Sequence, residues 1–207
     1  MLRPRARFGV ALALTVLAAT ACPRPRQAVT IEAASATVPA DFVPLAPERV
    51  AKLREAALSS DPSLEVSMVG RKPPDAPLPW MYLQRAELFP QVTVPLTVNT
   101  LLERTINELK ATINEGGLEL VEASTTVVGD THEFCSVAKS TPKSGKGAQV
   151  LSHTCLRVWV GAKSRKVHTV SVVCLSLESD PEECRRIIGS RALTPGEALP
   201  LSTLYER

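Results

Sequence analysis

Residues 118–139 read LELVEASTTVVGDTHEFCSVAK. Leu118 to Val128 and Thr131 to Lys139 are two runs rich in β-branched and alternating residues. Gly129-Asp130 between them is a two-residue hairpin signal. The pattern repeats downstream in Gln149 to Val160 and Val167 to Leu177. Turn-like links separate these runs, Pro142 to Gly147 and then Gly161 to Lys166. Four consecutive strands with short links predict an antiparallel meander.

Upstream, Val98, Leu102, Ile106, Leu109 and Ile113 recur at helical spacing and predict a helix from Val98 to Asn114 with one buried stripe. Thr97 is placed to cap it, and Gly116-Gly117 to end it. Leu64, Val66 and Met68 alternate and predict a strand, and Trp80 to Leu88 a second. Pro73, Pro74, Pro77 and Pro79 mark an irregular connection between the two. Pro47 opens a short helix through about Ser59. At the far end Asp180 is expected to cap a last helix, with Pro181 its first residue and Ile187 and Ile188 facing the sheet. The order is α-β-β-α-β-β-β-β-α, an α+β domain with helices packed on an antiparallel sheet.

A helix, a meander with a glycine turn in Val127-Val128-Gly129-Asp130, and a helix ending in Ile187-Ile188-Gly189-Ser190 is similar to the PsbP-like and DcrB-like families over residues 63–193. Their members are mostly accessory and partner-binding proteins, many exported and several lipid-anchored. The resemblance implies a binding module rather than an enzyme and transfers no site residue.

The first 21 residues have the parts of an export signal. Arg3, Arg5 and Arg7 precede an apolar run of about eleven residues, and Ala19-Thr20-Ala21 is a small-residue exit. The run falls short of the roughly 20 apolar residues of a spanning helix. Cys22 follows at once, so the stretch resembles a bacterial lipobox with Ala19 where leucine is usual. That resemblance implies cleavage before Cys22 and lipid on its thiol. No twin-arginine pair is present, which favours general secretion. Pro23 carries no acidic inner-membrane retention signal, which points to the outer membrane. Residues 22–46 scatter Pro23, Pro25, Pro39 and Pro44 among small residues and are expected to form an extended tether. The domain then spans 47–193, and 194–207 reads as an irregular tail.

Net charge narrows the partners. The full chain carries +3, and all three surplus cations lie in the leader. A neutral mature chain gives no electrostatic argument for nucleic acid, and none is expected as partner. Aromatic residues at 4% are too few for a binding site built on stacked rings.

Of the five cysteines, a lipidated Cys22 leaves an even set. Across the loop centred near residues 144 and 145, Cys135 and Cys155 fall within one residue of opposite. Cys174 and Cys184 are brought together if the last helix folds back over its own strand. The expected disulfides are therefore Cys135–Cys155 and Cys174–Cys184. The other connectivities stay open, because the fourth meander strand also brings Cys174 near Cys155.

The competing reading of these residues is a zinc or copper site from His132, Cys135, His153, Cys155 and His168. Strand alternation sets His132 and Cys135 on opposite faces, and thiols outside the cytoplasm are oxidised before they meet metal. No metal or other cofactor is expected.

No G-x-S-x-G or H-E-x-x-H motif occurs. Ser140-x-x-Lys143 sits in a hairpin loop rather than at a helix start, and the basic tip Pro142 to Gly147 lacks the order of a phosphate loop. Asp130, Glu133 and Glu178 offer an acid pair on paper, and Trp80 and Trp159 a groove. Solvated carboxylates and buried rings are the plainer readings.

The expectation is a lipid-anchored, disulfide-stabilised, periplasm-facing envelope protein that acts as an accessory or binding module. One alternative is an envelope hydrolase, which requires a histidine converging with a carboxylate beside a nucleophile. The other is a small-molecule or metal carrier.

Overall fold

The computed structural model describes residues 25–48, 51, 65–71, 78–88, 90, 92–140 and 148–206. Cys22, the body of the 47–59 helix and the hairpin tip at 141–147 lie outside the described residues.

The strands in chain order are β1 (Arg26–Ile31), β2 (Ala34–Pro39), β3 (Phe42–Pro44), β4 (Glu65–Arg71), β5 (Trp80–Leu88), β6 (Leu96–Thr97), β7 (Leu118–Val128), β8 (Thr131–Ser140), β9 (Val150–Val160), β10 (Val167–Leu177), β11 (Ala192–Leu193) and β12 (Leu204–Tyr205). The helices are α1 (Val98–Glu115) and α2 (Glu182–Gly189). A seven-stranded antiparallel sheet runs β3-β4-β5-β10-β9-β8-β7. The predicted meander is its right half, and the α+β class with helices on the sheet holds. The two upstream strands join at β10, so α1 carries the chain across the sheet from β5 to the far edge.

Period-2 alternation sends each meander strand's side chains to two different cores. On one face Leu156, Val158 and Val160 of β9, Phe134 of β8 and Val167 of β10 pack under Val98, Leu101, Leu102 and Ile106 of α1. The buried stripe of α1 fades beyond Ile106, and Leu109 and Ile113 are only partly buried. The Thr97 hydroxyl accepts the Thr100 N–H at 3.2 Å, as its cap position predicts. Gly117 takes φ 77° just past the helix end, a conformation that disfavours any side chain. Gly129 opens the β7–β8 turn at φ 59°, the glycine-first form of a two-residue hairpin.

On the opposite face Met81, Leu83, Cys155, Trp159, Val170, Val172 and Cys174 are covered by α2 and by a second, three-stranded sheet β1-β2-β11. This layer corrects the reading of residues 22–46 as a tether. Ala34, Ala36 and Val38 alternate with Ser35 and Thr37, and the inward three are buried, Ala36 to 1% and Val38 to 0% exposure. Small inward residues let the layer approach the main sheet closely. The tail is irregular, as expected, apart from the two-residue β12, but it packs onto the body. Thr203 and Leu201 carbonyls accept the N–H groups of Val98 and Asn99, which the start of α1 leaves without intrahelical partners. Tyr205 is buried, and its hydroxyl donates to the Arg165 carbonyl at 2.9 Å. Pro181, not Asp180, occupies the cap position of α2, and Asp180 makes no side-chain cap.

Removing residues 26–39 is expected to abolish cooperative thermal unfolding, because it bares the core under β2. Phe134→Ala should cost about 3–5 kcal/mol, while Val121→Ala on an exposed edge should stay within about 0.5 kcal/mol. Calorimetry on the three variants checks this; a shortened chain that melts like the parent would restore the tether.

Candidate functional site

The main sheet's register brings together one constellation that motif searching misses. His168 on β10 stands directly opposite Glu87 on β5 and Trp159 on β9. The Trp159 ring stacks on the imidazole with centroids 5.4 Å apart at 18°. Ser164, in the turn before β10, places its Oγ 2.7 Å from His168 Nε2. The other ring nitrogen, Nδ1, is buried without a hydrogen bond, and the nearest carboxylate oxygen is Glu87 Oε1 at 3.6 Å. Glu87 also holds Lys166 Nζ at 2.8 Å. Gly161 is required here, since a Cβ at that position would collide with Ser164 Oγ and His168 Nε2.

Trp159, Gly161, Ser164 and His168 line a cleft of about 440 Å³, and Glu87 and Lys166 stand behind His168 rather than in its lining. Glu32 and Ala33 from the β1–β2 turn, Arg85 from β5 and Pro195 to Glu197 from the tail form its other walls. Arg85 pairs with Glu32 across the mouth. The Lys166 ammonium holds the Glu87 carboxyl below the usual range against the opposing effect of burial.

A second cleft of about 460 Å³ lies between α2 and the β7–β9 surface. Its wall carries the Cys135–Cys155 disulfide, whose cysteines are direct cross-strand partners with Cα atoms 4.1 Å apart. No bulge is needed to bring them opposite. Cys174–Cys184 ties α2 to β10 and is fully buried. In the chain-entropy picture each closure contributes about 3 kcal/mol. Beside the first bond Glu133 binds Arg157 and Arg191 together. Burial pushes the Glu133 carboxyl up, but the two guanidiniums outweigh it and hold the group below the usual range.

The remaining sequence candidates separate. His132 lies under α1, its Nε2 donating to Asn99 Oδ1 at 2.9 Å. His153 faces the other core and meets Ser176 at 3.3 Å. Both Cys135 and Cys155 are consumed by their bond. No group of three or more His, Cys, Asp or Glu able to hold a metal ion occurs among the described residues. Asp130 accepts the Leu201 N–H and Glu178 binds Lys139, so neither forms an acid pair with Glu133. Trp159 lines the first cleft, whereas Trp80 packs near Tyr82 on the opposite face.

A third feature is an edge. β7 ends the main sheet, and no described strand pairs with its outer side. It is eleven residues long, contains no proline or cation, and exposes Val121 at 53%, Val127 at 58% and Val128 at 43%. Among the described residues no helix is long and apolar enough to cross a membrane. Comparison with known protein families and with curated proteins finds no match to this chain.

Burial lowers the pKa of His132, His153 and His168. The unfolded chain then binds more protons than the folded one below about pH 6.5. Stability from these groups is complete above that value and is lost as pH falls toward the folded pKa values. The melting temperature should therefore drop between pH 7.5 and 5. A flat profile in that window would mean that the imidazoles are not buried.

Proposed function

We propose that this protein is an exported, lipid-anchored envelope module that binds a partner protein along the open edge of β7. The edge itself carries this reading. A long strand with an unpaired outer side and exposed valines, its run from Glu122 to Val128 regular beyond a bulge at Val121, is a template for strand addition by an extended segment. β7 holds Glu119 and Glu122 and no cation, so a segment with lysine or arginine at facing positions suits it best. The similarity of the pattern to PsbP-like and DcrB-like accessory proteins supports the same class, as do two disulfides suited to an oxidising compartment.

The anchor reading rests on the leader and Cys22. β1 begins at Arg26, so Cys22 and the folded body are no more than about 14 Å apart along the chain. Lipid on Cys22 would hold the body against the headgroups rather than at a distance. The outer membrane is the proposed site, facing the periplasm.

Intact mass of the membrane-extracted protein should begin at Cys22 with acyl chains added, and Cys22→Ala should release the protein into the soluble fraction. A photoreactive residue at Thr125 should crosslink to one partner in cells, and Val121→Lys with Val127→Lys should remove the crosslink without moving the melting temperature. Absence of lipid mass would refute the anchor. A crosslink that survives both lysines would refute the edge.

A further inference from the structure

We propose that Ser164, His168 and Glu87 form a hydrolytic relay, with Ser164 as nucleophile toward small acyl esters. The order hydroxyl, imidazole, carboxylate is the one that nucleophilic serine chemistry requires. Three separate elements supply it: the 161–166 turn, β10 and β5. His168 is not free to turn away, because the sheet register fixes it between Glu87 and the stacked Trp159 ring. Ser164 Oγ already sits at proton-transfer distance from Nε2, at 2.7 Å. The clearance that allows this approach exists only because residue 161 is glycine.

The proton inventory is consistent with the role. Burial keeps His168 neutral at pH 7, so one ring nitrogen is free to act as base. With Nε2 as the acceptor, the proton resides on Nδ1, which faces Glu87 Oε1. As the imidazolium forms, that carboxylate stabilises it, although Lys166 shares the same group. The cleft is of a size for a small ligand. Ala33, Trp159 and Pro195 offer an apolar wall for an acyl chain, and the cations in the lining are Arg85, which would have to leave Glu32 to meet the developing negative charge, and Lys163, 4.0 Å from Glu197.

In the first step Ser164 Oγ bonds to the ester carbonyl carbon while its proton passes to His168 Nε2. The carbon–oxygen bond to the leaving alcohol breaks, and that alcohol takes the proton from His168. Water, deprotonated by His168, then attacks the acyl-serine. The carboxylic acid leaves, and Ser164 regains its proton. No other reactant is needed.

The test is labelling of the purified full chain with a fluorophosphonate, followed by peptide mass spectrometry. The expected result is one adduct on Ser164, together with release of 4-nitrophenol from 4-nitrophenyl acetate. Ser164→Ala, on an exposed turn, should melt like the parent and lose the adduct and at least about 100-fold of the esterase rate. The rate should rise with pH along one ionisation below the ordinary histidine value. Glu87 and Arg85 on β5, Lys163 and Lys166 in the turn, Glu32 and Glu197 are the charged groups that surround it. His168→Gln should remove labelling while leaving the disulfides intact. No adduct on folded protein, or equal labelling and turnover in Ser164→Ala, would overturn the proposal and reduce the Ser164–His168 bond to a tie that steadies the turn.

Discussion

β9 and β10 are buried on both faces over most of their length, and that one constraint dictates most of the architecture. Val158 and Val160 point one way, while Cys155, Val170 and Val172 point the other. A sheet with such strands cannot leave a face in water, because each buried side chain of this size is worth about 1.5–3 kcal/mol. The first face is covered by α1 together with Leu199, Leu201 and Tyr205 of the tail. The second face needs α2, the β1–β2–β11 layer and the Cys174–Cys184 bond that pins α2 down.

The meander and α1 were legible in the sequence because their signals are local. β7 and β10 end where alternation and turn residues end them, and Thr97 and Gly116-Gly117 bracket α1. Hairpin arithmetic put Cys135 within one residue of opposite Cys155 and made that pairing the expected one, and the β8–β9 register supplies the exact match. β1 and β2 escape the sequence reading because Pro23, Pro25, Pro39 and Pro44 in and around them suggest an extended chain, and the inward residues of β2 are mostly alanine. The alternation Ala34, Ala36, Val38 was the available signal, but its value depends on a sheet far away in sequence. β11 and β12 are two residues each and exist only through tertiary pairing.

The cleft was less legible still. Ser164 and His168 lie four residues apart in a plain turn-to-strand step, and Glu87 joins them only through the β5–β10 register. Gly161 was readable as a turn residue but not as the clearance for a hydroxyl–imidazole contact. The opposite held for His132, His153 and the cysteines, which suggest a cluster by spacing. Strand alternation sends His132 under α1, while the disulfide occupies the thiols. A folded body whose first strand begins four residues after Cys22, with an eleven-residue edge strand in β7, suits the anchored partner-binding role proposed above. The cleft on the other margin is physically independent of that role.

Hydrogen exchange of the purified protein, followed residue by residue, tests the two-layer account most directly. The account predicts that β1 and β2 amides exchange as slowly as those of β9 and β10, in one cooperative unit, while the outward amides of β7 exchange fast. Rapid exchange across residues 26–39, with β9 and β10 still protected, would contradict it.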